Sequence, residues 1–261
     1  MAAKRSADGS SPISEEALFK LLRVSDDAVL IGGQALAFWV AYFKMKIPPG
    51  PRTYVSHDAD FLGFARHVEQ FSNAIGGRAV YPPRHQITAL EGVVMVKTAT
   101  GEEIGVDVLR SVVGLKTDAV RKKAVKISDP MDPSLTFKVM HPIDCMVSRF
   151  ENLRTLSEKR NEIGVWQAQI SISVCRAYIE MLVAAGDERE AIRAATGVLE
   201  VAGATPGLQA FRKYGLDLLD GIPIEGFTSV SFKVQQYART AARIRVLREA
   251  FQPPPAKKTP R

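Results

Sequence analysis

His57-Asp58-Ala59-Asp60-Phe61-Leu62 decides how this chain is read. Two carboxylates flank one small residue, and an apolar pair follows. Side chains alternate along a strand, so Asp58 and Asp60 point to one face, about 6.5 Å apart at their Cα atoms. Acids so spaced suit a shared divalent cation, because Mg²⁺ takes one or two carboxylates and fills its shell with phosphate oxygens and water. Upstream, the apolar run Ala28–Ile31 reads as a strand closed by Gly32-Gly33. The helix that follows begins with free backbone N–H groups that favour an anion, and glycine lets the backbone approach a phosphate closely. Downstream, Gly105-Val106-Asp107-Val108-Leu109 supplies a third acid on a strand. Its alternation sends Val106 and Val108 to the core and leaves Gly105, Asp107 and Leu109 on the opposite face.

Around this centre the N-terminal half alternates strands and helices. Glu15–Leu22 reads as a helix, and a second helix runs from Gln34 to Phe43 with Leu36, Trp39, Val40 and Phe43 on one face. Pro48, Pro49, Gly50 and Pro51 make the stretch from Lys44 to Arg52 a loop. Thr53–Leu62 is the Asp-x-Asp strand, and Phe64–Ile75 is a helix stopped by Gly76-Gly77. Gly92–Thr98 and Glu103–Leu109 form a hairpin, and Ala124–Ile127 and Thr136–Met140 are short strands. From His141 the periodicity is helical, with Pro142 suited to a first helical position. Helices are expected over 142–160, 162–185, 187–202, 206–219 and 229–250. The fold class is therefore α+β: a small mixed-sheet domain over 15–140 and an all-helical domain over 141–251, between disordered ends at 1–14 and 252–261.

Composition narrows the setting. The chain has 261 residues, 46% of them hydrophobic and 24% charged, enough to build a substantial core. Its two cysteines, Cys145 and Cys175, sit in apolar helical contexts, which excludes a disulfide framework and reads as packing in a reducing compartment. With no apolar run of about 18 residues and no signal-peptide core, no membrane segment is expected and a cytoplasmic location is. The net charge of +7 favours phosphate-rich partners, although a solvated basic surface reads equally well. Two basic clusters, Arg121-Lys122-Lys123 with Lys126, and Arg239, Arg243, Arg245 and Arg248, are either solvated faces or grips on a polyanion.

A glycine turn, an Asp-x-Asp strand and a later strand Asp resemble the active-site pattern of the nucleotidyltransferase superfamily, which includes DNA polymerase β. The likeness spans about residues 28–160. Gly32-Gly33-Gln34-Ala35-Leu36 is similar to the AbiEii-type branch of toxin–antitoxin and phage-defence systems. The chain departs from many members in two respects. Gly33 stands where a serine would offer its hydroxyl to phosphate, and residues 34–57 make a longer gap before the first acid.

The resemblance implies a Mg²⁺- or Mn²⁺-dependent enzyme that moves a nucleoside monophosphate from an NTP to an acceptor hydroxyl. It implies Asp58 and Asp60 as metal ligands, and Asp107 as the third acid that holds a second metal and activates the acceptor. Gly32, Gly33 and Gln34 would meet the phosphates, with Ser56 beside the first acid. Arg149, where related proteins carry a basic residue, would neutralise triphosphate charge or be a surface arginine. The acceptor is left open among a tRNA, a protein and a small molecule, and a toxin role would add an antitoxin protein as partner.

The rival readings fit less well. A non-catalytic nucleic-acid- or protein-binding module could keep the fold without the three acids, yet all three stand. A haloacid-dehalogenase-type phosphatase wants Thr or Val where Leu62 stands and puts its Asp-x-Asp on the first strand. An HD-type phosphohydrolase needs His57-Asp58 on a helix with further histidine ligands. The chain has no P-loop motif and no Gly-x-Gly-x-x-Gly.

Overall fold

The computed structural model describes residues 13–47, 58–83, 85–97, 101, 103–129 and 132–251. The chain divides into two compact units, one up to Ser148 and one from Arg149. The protein is mixed α/β, with its described strands in the first unit. The expectations of disorder at 1–14 and 252–261 fall almost wholly outside the described residues.

In the first unit, α1 (Glu15–Arg23) starts at Ser14, whose hydroxyl accepts from the Ala17 N–H at 3.2 Å. Strand β1 (Val29–Ile31) runs directly into α2 (Gly32–Tyr42). Then come β2 (Ala59–Leu62), α3 (Ala65–Ile75), β3 (Arg78–Val80), β4 (Leu90–Lys97) and β5 (Glu103–Leu109). Next are α4 (Thr117–Lys123), β6 (Val125–Ser128), β7 (Thr136–Val139) and α5 (Pro142–Thr155), and the division between the units falls inside α5.

The strands form one sheet in the order β3-β4-β5-β2-β1-β7-β6. β2 lies antiparallel to β1 and parallel to β5, while β7 lies parallel to β1 on its other side. Helix α3 packs on β4 and β5, and α2 packs on β1 and β2. Phe61 of β2 turns towards α3, its ring 4.7 Å from that of Phe71, and both are fully buried. The period of two then sends Asp60 to the other face of the sheet.

Four differences from the sequence expectation have physical causes. The Asp-x-Asp strand is shorter: β2 begins at Ala59, Asp58 is the bend before it, and 53–57 lie outside the described residues. Strand β3 and helix α4 were not expected, because a three-residue edge strand and a seven-residue helix carry too little periodicity. Helix α5 ends at Thr155 rather than 160, because Arg160 folds back and donates to the carbonyls of Leu153 at 3.0 Å and Arg154 at 2.6 Å. A helix ends where its last carbonyls find other donors. The helix expected over 206–219 stops at Tyr214, where Gly215 takes φ +70.

The second unit holds α6 (Glu162–Ala184), α7 (Glu188–Gly203), α8 (Thr205–Tyr214) and α9 (Ala238–Ala250), with a π-helical stretch at Ser231–Tyr237 leading into α9. Helix α7 packs against α6, α8 and α9. Gly164 lets α6 start hard against the preceding loop, since a Cβ there would lie 1.9 Å from the Lys159 carbonyl oxygen. Cys145 in the first unit and Cys175 in the second are free thiols and buried. No described helix is long and apolar enough to cross a membrane.

Candidate functional site

Strand pairing brings the acids together. Asp60 and Asp107 are direct register partners across the parallel β2–β5 pair. Asp58, two residues earlier, reaches the same ladder: its Oδ1 accepts from the Gly105 N–H at 3.3 Å. All three carboxylates are partly exposed, whereas Val106 and Val108 beside them are fully buried, as their alternation predicts.

On the other side of β2, Asp60 pairs with Ile31, the last residue of β1. The chain then turns at Gly32 with φ +71 into α2. A Cβ on Gly32 would lie 2.0 Å from Asp60 Oδ2, so the glycine is demanded twice, by its backbone angle and by the carboxylate against it. No acid stands in the first turn of α2 and no side chain caps it. The partial positive charge of this helix end meets the acid row. Gln34, in that first turn, is buried.

The structure thus brings together Gly32, Gly33, Asp58, Asp60 and Asp107. Ser56 and His57 lie outside the described residues. Arg149 belongs to the second unit, where it is buried rather than a surface arginine, and its Nη1 donates to Gln167 Oε1 at 3.0 Å. The acids offer hard oxygen donors of the kind Mg²⁺ and Mn²⁺ take. As the side chains stand, no three His, Cys, Asp or Glu among the described residues are drawn into a ready metal-holding group. The donor chemistry and the register fit a divalent cation, while the carboxylates lean instead on Gly105 and Gly32.

Sequence reasoning missed a second polar group at this end of the sheet. The first residue pairs of β6 and β7 match Val125 with Val139, and β7 in turn matches Val139 with Leu30 of β1. Met140 extends that ladder by donating to the Leu30 carbonyl at 2.9 Å. His141 follows, with its Nδ1 accepting from the Ile143 N–H at 3.2 Å, which leaves the proton of the neutral ring on Nε2. Burial, with the charge of Lys123, pushes the His141 pKa down to about 4. Asp144, in the first turn of α5, is buried, and its Oδ1 lies 3.6 Å from Lys123 Nζ. Burial raises its pKa against the opposing pull of Lys123. Its Oδ2 has no hydrogen-bond partner. The only sequence signals were Lys123 in a basic run and Asp144 in a helical stretch.

The basic clusters divide. Arg121 lies 4.0 Å over the Phe64 ring and donates to the Gly63 carbonyl at 3.0 Å, and Lys126 faces Lys138 directly across the β6–β7 pair. In the other cluster Arg248 turns inward to Asp217, with contacts of 2.5 and 2.8 Å. No profile of a known protein family matches the chain, and no curated protein matches it significantly.

Proposed function

We propose that this chain is a Mg²⁺-dependent nucleotidyltransferase, a small mixed-sheet catalytic domain followed by a helical one, acting on an NTP and an acceptor hydroxyl. The observation that carries the reading is the single row Ile31–Asp60–Asp107 in sheet register, with Gly32 turning into a helix N-terminus against the Asp60 carboxylate. An acid row beside an anion-favouring turn is what a metal–triphosphate substrate requires.

Asp58 and Asp60 would hold the divalent cation that accompanies the triphosphate, and the Gly32-Gly33 turn offers its N–H groups to the phosphates. Bound Mg²⁺ supplies charge neutralisation and a lowered pKa for the acceptor hydroxyl. Asp107 orients that hydroxyl and draws its proton as the oxygen attacks the α-phosphorus. The bond between the α-phosphorus and its bridging oxygen breaks, and pyrophosphate leaves with the electron pair. Catalysis rests on in-line positioning and charge, with no covalent intermediate on the protein.

The test is incubation with each α-³²P-NTP, Mg²⁺ and a total cell extract, beside an Asp58→Ala/Asp60→Ala protein. Label in RNA, protein or a small molecule that depends on the intact pair supports the reading and names the acceptor class. Metal-dependent NTP binding without label from any NTP turns the assignment to a non-catalytic binding module.

A further inference from the structure

The Lys123–Asp144 pair stands at the end of the sheet where the Gly32-Gly33 turn lies. Lys123 closes α4 two residues before β6 begins, and β6 is separated from β1 by β7 alone. Two strand spacings put the two chains about 10 Å apart. Gly32 lies between the acids on one side and Lys123 on the other. Asp144 is 3% exposed, carries one oxygen without a hydrogen-bond partner, and meets Lys123 with the other. Removing a carboxylate from water is costly unless it is hydrogen-bonded or paired with a cation, and Lys123 is the cation here. Here its Oδ1 lies 3.6 Å from the ammonium tip of a lysine whose side chain is itself 60% exposed, which fixes where that ammonium sits. An ammonium has three donors, so one directed at Asp144 leaves two for phosphate oxygens.

We infer that Lys123 is the residue that grips the terminal phosphates of the substrate and the departing pyrophosphate, and that Asp144 is its positioning residue. This rests on the nucleotidyl-transfer reading and adds a cationic wall to it. The acids take the α-phosphate side of the chain, and the lysine takes the end that leaves. Nearby His141, neutral, adds no charge of its own.

Titration calorimetry of the full chain with Mg²⁺ and inorganic tripolyphosphate, and separately with orthophosphate, tests it without knowing the base. Lys123→Met should weaken tripolyphosphate about tenfold, the loss of one charge-assisted hydrogen bond, and leave orthophosphate binding unchanged. Lys123→Arg should keep most of the affinity, and Asp144→Asn should lose part of it in the same selective way. Equal tripolyphosphate affinity in the wild type and Lys123→Met overturns the inference. Equal weakening of both anions also overturns it, since a packing role would act so. No Mg²⁺-dependent tripolyphosphate binding by the wild type, with no transfer from any of the NTPs, overturns the nucleotidyl-transfer reading itself. Asp60→Asn separates the two cases, because it should abolish the Mg²⁺ dependence while leaving the lysine in place.

Discussion

The carboxylates of the helical unit and those of the sheet end are treated in opposite ways. In the helical unit, Asp217 takes both Nη atoms of Arg248 and the Leu219 N–H. Glu188 takes the Thr228 and Ser229 N–H groups at 2.6 and 2.7 Å and the Thr228 hydroxyl at 2.6 Å. These acids meet donors and a cation, and they hold segments together. At the sheet end, Asp60 is set directly beside Asp107, with Asp58 next along. Like charges opposite each other in a sheet cost stability. The helical unit sets its acids against donors and a cation, whereas the sheet end sets acid beside acid, a charge density that the proposed divalent cation would neutralise.

The strongest way to break this contrast is Asp107→Asn. Transfer should fall by a factor of about 1000 or more, since the residue would no longer take the proton or share the cation. The same variant should melt about 1–2 °C higher, because the repulsion with Asp60 is relieved. Activity assays beside calorimetry check both signs, and a fall in Tm would mean that the acid is structural. Arg248→Ala tests the other region. Burial pushes the Asp217 carboxyl up, but the hydrogen bonds from Arg248 and Leu219 and the charge of Arg248 hold it below the ordinary aspartate value. Losing the guanidinium, which is 7% exposed and stacked on Phe211, should cost about 3–5 kcal/mol in urea unfolding of the helical unit. Mg²⁺–NTP affinity of the folded protein should not change.

Acid should weaken the first unit. His67 and His141 both have pKa values lowered by burial, against an ordinary 6.5. His67 accepts the Phe64 N–H on Nδ1 at 2.9 Å and faces Asp27 with Nε2, an arrangement that needs the neutral ring. Each group binds fewer protons folded than unfolded. The stability it gives is therefore complete above its ordinary value and is lost as the pH falls towards the folded one. For His141, at about 4 when folded, the loss between pH 6.5 and 4 reaches about 3 kcal/mol. Denaturant midpoints measured across that range check it, and His67→Gln and His141→Gln should each flatten the curve. Gly32→Ala should cost about 2 kcal/mol, from the strained φ and the contact with Asp60. It should still remove NTP binding, because the methyl group displaces the carboxylate from the row.

Much of this was legible before any coordinates. The paired apolar and acidic alternation at Val106-Asp107-Val108 announced both a buried face and a polar one, and Gly32-Gly33 announced a turn between a strand and a helix. Such signals are local: they depend on a period of two or on one residue's backbone freedom. Thr53–Leu62 as a strand puts Asp58 inside it, whereas Asp58 is the bend before β2, because periodicity does not say where hydrogen bonding begins. The sequence places Arg248 with the other arginines of α9, as part of a solvated face or a grip on a polyanion, since nothing local reveals a partner as distant in the chain as Asp217.

By itself the sequence determined the longer elements, the apolar faces, the three acids and the glycine turn, because each follows from neighbours within a few residues. Only the tertiary structure decided that β2 would run parallel to β5, so that Asp60 and Asp107 share a register position. It also decided that β7 would insert beside β1, with β6 outside it, and so bring Lys123, His141 and Asp144 to the end of the sheet that holds Gly32. Parallel pairing joins strands distant in the chain, and its register is set by how whole layers of side chains pack, which no local pattern records.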